Sequence, residues 1–193
     1  MSDDSASRTI RVATAADAAA CAAIYAPYVA HTPITFETEV PGVEEMTRRI
    51  AQAQERHVWL VLEEDGVVTG YAYGGSFKSR AAYDWAVEGS VYLDESSRGG
   101  GRGRALYAEL IERLAALGYR RFIGVIALPN EASLRLHRSF GFADVGTLHR
   151  VGWKHGAWHD VAYLELDLAD PEGDGDPASP PRALGRPRGR ALG

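Results

Sequence analysis

The run Arg98-Gly99-Gly100-Gly101-Arg102-Gly103-Arg104 sets four glycines among three arginines. It lies between an apolar run at Val87–Leu93 and a stripe of leucines at 106, 110, 114 and 117. Glycines leave backbone amides unshielded, and the start of a helix carries partial positive charge, so such a loop suits a phosphate or pyrophosphate. Two phosphate-loop signatures fail here. Gly103 is followed by Arg104 and Ala105, not by Lys-Ser/Thr, and a G-x-G-x-x-G read from Gly99 or Gly101 ends on Arg104 or Leu106. What remains is Arg98-x-x-Gly101-x-Gly103. Further along, Ser133 and His137 stand four apart on one helical face, and Asn130 opens that helix, where its side chain is placed to cap or to bind. Lys78, Arg80 and Tyr83 precede Glu88. An arginine fork grips a two-oxygen anion better than a point charge does, so this cluster fits a small anionic molecule.

Other chemistry is excluded. His155 and His159 have metal-ligand spacing, but Gly156-Ala157-Trp158 is poor helix, and in a strand residues four apart stand ~13 Å apart. No metal is expected. Gly74-Gly75-Ser76-Phe77-Lys78 lacks the last glycine of a nucleophile elbow. Cys21, the one cysteine, sits in an alanine-rich helix and reads as packing, as do Trp85 and Trp153.

The elements that must hold these residues follow from pattern. Thr9–Ala13 alternates as a strand, and Thr14 with Asp17 forms a capping box before a helix that Pro27 is expected to kink or end. Ile34–Glu39 reads as a short strand, and Glu44–Gln54 as a charged helix. His57–Glu64 and Val67–Ser76 flank Asp65-Gly66, a hairpin turn. Lys78–Trp85 is a loop and Val87–Leu93 a strand. Phe122–Ala127 is a buried strand, Asn130–Phe140 a helix closed by Gly141, and two late strands cover Ala143–Arg150 and Val161–Leu168. Hairpins followed by a β-α-β-α-β run imply a single-domain α/β fold with a mixed, mostly antiparallel central sheet flanked by helices.

With 193 residues, 46% of them hydrophobic, the chain supports one folded domain, assigned to 8–168. Residues 1–7 are expected to be a flexible N-terminus and 169–193 a disordered Pro/Gly-rich tail. A net charge of -5 argues against a general nucleic-acid binder. No apolar run is long enough to span a membrane, and MSDDSASRTI does not resemble a signal peptide, so the expected location is the cytoplasm.

The glycine loop, together with Asn130, Ser133, Leu136, His137, Gly141 and Phe142, resembles the two signatures of the GCN5-related N-acetyltransferases (GNAT). The segments Lys78–Trp85, Glu88–Leu93, Leu128–Asn130 and Lys154–Asp160 resemble phosphinothricin N-acetyltransferases within that superfamily, and the resemblance spans Arg8 to Leu168. It implies the GNAT fold, acetyl-CoA as cosubstrate, and transfer to the α-amino group of L-phosphinothricin or of methionine sulfone or sulfoximine, in a homodimer. Cofactor binding would fall to Arg98, Gly99, Gly100, Gly101, Arg102, Gly103 and Arg104 at the pyrophosphate, to the backbone of Val91, Tyr92 and Leu93, and to Asn130 at the pantetheine arm. Glu88 would be the general base and His137 the proton donor to the departing thiolate. Phe36, Lys78, Arg80, Tyr83 and Glu88 would form the acceptor site. The alternatives are a non-catalytic acyl-CoA-binding module, or an acetyltransferase for another small amine or a protein amine.

Overall fold

A computed structural model describes residues 8–169 and residue 181. Seven strands form one sheet: β1 (Arg8–Val12), β2 (Trp59–Glu64), β3 (Val67–Ser76), β4 (Ala86–Leu93), β5 (Arg121–Ala127), β6 (Ala143–Lys154) and β7 (Ala157–Asp167). Their spatial order is β1-β2-β3-β4-β5-β7-β6. Every neighbouring pair is antiparallel except β4–β5. Four α-helices accompany them: α1 (Ala18–His31), α2 (Val43–Gln54), α3 (Arg102–Leu117) and α4 (Glu131–Ser139). This is the expected mixed, mostly antiparallel α/β architecture.

Strand alternation sends side chains to two helical layers. Trp59 and Val61 of β2 join Tyr71 and Tyr92 under α1 and α2, against Cys21, Tyr25, Met46 and Ile50. Leu60 and Leu62 face the other way, toward Leu106, Leu110 and Leu114 of α3. Burying each such leucine contributes about 2 kcal/mol.

The parallel pair is where the sheet opens. Only Ala86, Val87 and Glu88 of β4 pair with β5, against Arg121, Phe122 and Ile123. Beyond Glu88 the strands part. Each carries a glycine just past the last pair, and each glycine admits an aromatic ring. A Cβ on Gly89 would lie 2.4 Å from the Phe122 ring, and one on Gly124 would lie 2.6 Å from the His137 ring.

Four sequence expectations need correction. Ile34–Glu39 is an irregular loop, not a strand. Its polar groups bond locally: Ile34 N–H donates to Thr32 Oγ1, Glu37 N–H to Thr35 Oγ1, and the Thr35 carbonyl accepts from Lys154. Those bonds consume groups a strand ladder needs. Of the two outcomes expected at Pro27, a kink or an end, the end is excluded, because α1 runs on to His31. Tyr28 and Val29, just past the proline, are buried in the core, and that burial offsets the lost backbone bond. The late strands are longer than pattern alone indicates. His155 and Gly156 both take positive φ, 50° and 75°, and close a tight hairpin between Lys154 and Ala157. Trp153 is not a packing residue: it is 58% exposed and meets exposed Trp158 edge-on at 5.3 Å. The expected N-terminal arm lies outside the described residues, as does the tail apart from Ala169 and Pro181.

Candidate active site

The splay of β4 and β5 opens a cavity of about 290 Å³. Gly89–Leu93 line one wall and Val125–Ala127 the other, with the α4 cap Asn130, Ser133 and His137 from α4 and Tyr107 from α3 closing it. Arg98 and Tyr28 also line it. A smaller recess of about 160 Å³ is lined by Glu88, Tyr73, Gly75 and Ser76, and shares Gly89 and Ser90 with the lining of the larger one. Glu88 thus sits at the apex of the splay, half-buried. Burial pushes its carboxyl above the ordinary carboxylate range, and the Lys78 ammonium partly offsets this.

The glycine loop fits a pyrophosphate. Gly99, Gly100 and Gly101 take φ of 92°, 58° and 74°, the left-handed region that other residues reach only with strain. Open space surrounds Gly99 and Gly101. The turn delivers the chain into α3 with Gly101 as N-cap, and helix geometry leaves the Gly103 and Arg104 amides without intrahelical acceptors. The three arginines differ. Arg98 lines the cavity, 5.3 Å above the Tyr28 ring. Arg102 turns away, donating to Glu64 at 2.7 Å. Arg104 donates to Ser139 Oγ at 2.6 Å and covers the Phe140 ring, joining α3 to α4.

Along β4, Tyr28 engages Leu93 on both sides of its peptide: the Leu93 N–H donates to Tyr28 Oη at 3.3 Å, and that hydroxyl donates to the Leu93 carbonyl at 2.7 Å. Val91, two residues back, directs its backbone groups the same way. Tyr92 is buried on the opposite side, edge-on to Tyr25 and Tyr28. Asn130 both caps α4 and lines the cavity. Its Oδ1 accepts from the Ser133 N–H at 3.2 Å, which leaves its NH₂ as the remaining donor.

His137 is buried, and both ring nitrogens are engaged, Nδ1 with the Ser133 carbonyl and Nε2 with Tyr107 Oη, each at 2.8 Å. Burial lowers its pKa. Lys78, Arg80 and Tyr83 are exposed on the β3–β4 loop. The Lys78 ammonium lies 4.8 Å from the Phe77 ring, which meets Tyr83 edge-on. Phe36 does not line the Glu88 recess. Its ring lies on Gly152 of β6, where a Cβ would come within 2.2 Å. Ile34, two residues earlier, reaches the main cavity. Lys154 is buried and donates to the Thr35 carbonyl at 2.7 Å, fastening the Phe36 loop to β6.

Sequence reasoning missed Tyr28 and Tyr107. Neither belongs to a spacing signature, and at the edge of an apolar helical stripe a tyrosine reads as core. Among the described residues no group of three or more His, Cys, Asp or Glu is placed to hold a metal, and no helix is long and apolar enough to cross a membrane.

Residues 10–162 match the acetyltransferase (GNAT) domain. The chain belongs to the GNAT acetyltransferase family. It is an acetyl-CoA-dependent N-acetyltransferase. It is 41% identical over 175 residues to the phosphinothricin N-acetyltransferase of Streptomyces viridochromogenes, covering 91% of this chain and 92% of that protein. It is 37% identical to the L-methionine sulfoximine/L-methionine sulfone acetyltransferase of Salmonella typhimurium, covering 83% of this chain and 94% of that protein. A phosphinothricin acetyltransferase from Sinorhizobium meliloti, solved in complex with acetyl-CoA, superposes with a TM-score of 0.82 at 38% identity. That match covers 90% of this chain and 92% of the other.

Proposed function

We propose that this N-acetyltransferase acts on the α-amino group of L-phosphinothricin or of a close analogue such as methionine sulfone or sulfoximine, by direct transfer with Glu88 as general base. The observation that carries this reading is the position of Glu88 at the last β4–β5 pair, directly before Gly89 and Ser90, which line both the larger cavity and the smaller recess that holds Glu88. Acetyl-CoA supplies an activated acyl group. The chain must anchor it, take a proton from the incoming ammonium and offset negative charge on the carbonyl oxygen while the C–N bond forms and the C–S bond breaks; CoA leaves as the thiolate and takes up the second amine proton. The Gly99–Arg104 loop and Arg98 supply the anchor, the Asn130 NH₂ holds the arm, and Glu88 takes the proton. The backbone N–H of Val91 is the donor best placed for the carbonyl oxygen. Lys78, Arg80 and Tyr83 gather anionic and hydrogen-bonding groups of the acceptor before Glu88.

The name of the phosphinothricin relative and the exposed cationic loop both favour an anionic small molecule. Val145, Leu148, Val151, Trp153 and Trp158 are exposed on the β6–β7 hairpin, with β6 at the sheet edge, and support a homodimer through this hairpin. A cosubstrate made inside cells supports a cytoplasmic location. The test incubates the protein with acetyl-CoA and, separately, L-phosphinothricin, methionine sulfone, methionine sulfoximine, glutamate and a peptide with a free N-terminal alanine. Mass spectrometry should find the N-acetyl product with the first three. A product only with the peptide contradicts the reading.

A further inference from the structure

Along β3 every second side chain points to the face covered by α1 and α2. Tyr71 and Tyr73 stand there, packed in the aromatic layer with Tyr92, and the next place is Gly75. Across the ladder on β4, Tyr92, Ser90 and Glu88 pair with Tyr71, Tyr73 and Gly75 in that order. The row therefore lacks one side chain, and it lacks it directly opposite Glu88. A Cβ at position 75 would lie ~5 Å from that of Glu88.

Nothing in the backbone asks for glycine there. Gly75 does not take a left-handed φ, and β3 and β4 hold one register from Gly70 to Ser76 without a bulge. Packing does not ask for it either. On the neighbouring Gly74 a Cβ would come within 2.9 Å of Leu114, and on Gly89 within 2.4 Å of Phe122, whereas on Gly75 it would meet nothing within 4 Å. Glycine weakens a strand, and one with neither a bulge nor a crowded neighbour marks the approach of a ligand. The open space at Gly75 belongs to the recess of about 160 Å³ that holds Glu88. Tyr73, Gly75 and Ser76 also line a cavity of about 350 Å³, walled further on by Tyr25, Trp59 and Tyr71.

We propose that Gly75 is a specificity-determining residue: its missing side chain keeps open the room opposite Glu88 in which the acceptor's side chain lies, and so admits an amino acid with an extended side chain. The proposal rests on the reading of Glu88 as the base. The acceptor nitrogen must hydrogen-bond Glu88 while its lone pair faces the thioester in the larger cavity. The substituents on its α-carbon then turn away from that cavity, and across the ladder from Glu88 it is Gly75 that leaves them space. A side chain at 75 fills that space and leaves room for small amines alone. The larger cavity has no wall at Gly75, so cofactor binding is untouched.

The test compares Gly75→Ala and Gly75→Val with the unmodified full chain, using acetyl-CoA with L-methionine sulfone and, separately, with L-alanine. One carbon too many in a fitted pocket costs about 10- to 200-fold. Gly75→Val should raise KM for methionine sulfone by that factor, with Gly75→Ala between, while KM for acetyl-CoA holds and the lead of methionine sulfone over alanine shrinks. Valine is the better strand former, so Tm should hold or rise, which separates lost room from a damaged sheet. An unchanged KM for methionine sulfone in a folded Gly75→Val, or equal losses for the two amino acids, overturns the proposal. Calorimetry of methionine sulfone on the CoA complex reads the same space without turnover. If the unmodified protein acetylates neither amino acid, the acceptor reading above falls. Weaker binding in Gly75→Val than in the unmodified complex then still supports the role of Gly75, and equal or absent binding overturns it.

Discussion

At the scale of single residues, Glu88 shows how placement trades stability for chemistry. Its pKa is raised by burial, so folding favours the protonated form, and stability is lost as pH rises through that raised value. Catalysis runs the other way, because the base must be ionised. The acid limb of kcat should therefore lie above the ordinary glutamate range. Glu88→Gln should abolish that limb and lower turnover about 10²–10⁴-fold near neutral pH, with partial recovery at high pH as free amine accumulates. Melting curves at pH 8 should show Tm unchanged or raised. A variant with near-normal kcat at pH 7 removes Glu88 from the mechanism. The glycine turn at Gly99–Gly101 and the Asn130 cap were legible in sequence, because residue type and spacing set them locally, whereas Glu88 was singled out by the resemblance. Arg102 and Arg104 were indistinguishable from Arg98 in sequence, because only the tertiary partners Glu64 and Ser139 separate their directions.

At the scale of elements, the turn into α3 and the buried end of β2 each carry a prediction. Gly101 has φ 74° and open space facing the expected pyrophosphate. Gly101→Glu adds backbone strain and a negative charge there, so calorimetry should find acetyl-CoA affinity lost in a folded protein. Unchanged affinity contradicts the loop assignment. His57, before β2, is buried against Tyr119, and burial pushes its pKa down to about 4 from 6.5. The unfolded chain then binds the extra proton first. Stability is fully present above pH 6.5 and falls by about 3 kcal/mol as pH drops toward 4. Thermal melts of His57→Gln should show a shallower loss over that window, and an identical slope contradicts the assignment. Most elements were legible because period and caps agree, as in the Thr14–Asp17 box, the Asp65-Gly66 turn and the leucine stripe of α3. Ile34–Glu39 failed because β-like residues in a short stretch were claimed by side-chain hydrogen bonds from α1 and β6, which no local pattern reveals.

At the scale of the whole molecule, the exposed Trp153–Trp158 pair and the sheet edge beside it make the β6–β7 hairpin the surface most in need of a partner. Trp158→Glu should shift the protein from dimer to monomer in light scattering while leaving the monomer folded, and a monomeric unmodified protein contradicts the assembly. On the proposed reading, a cofactor cavity, a half-buried base and a cationic loop together select a tetrahedral, two-oxygen analogue of an amino acid over planar glutamate. A site that leaves its donors unpaired loses about 1–3 kcal/mol per group, or roughly 5- to 150-fold. The most direct measurement is kcat/KM for L-phosphinothricin against glutamate, by thiol release, in the unmodified protein and in Arg80→Ala. The account predicts a lead for phosphinothricin within or above that range, a smaller lead in Arg80→Ala, and an unchanged KM for acetyl-CoA. Equal kcat/KM for the two acceptors, or a lead untouched by Arg80→Ala, would contradict it.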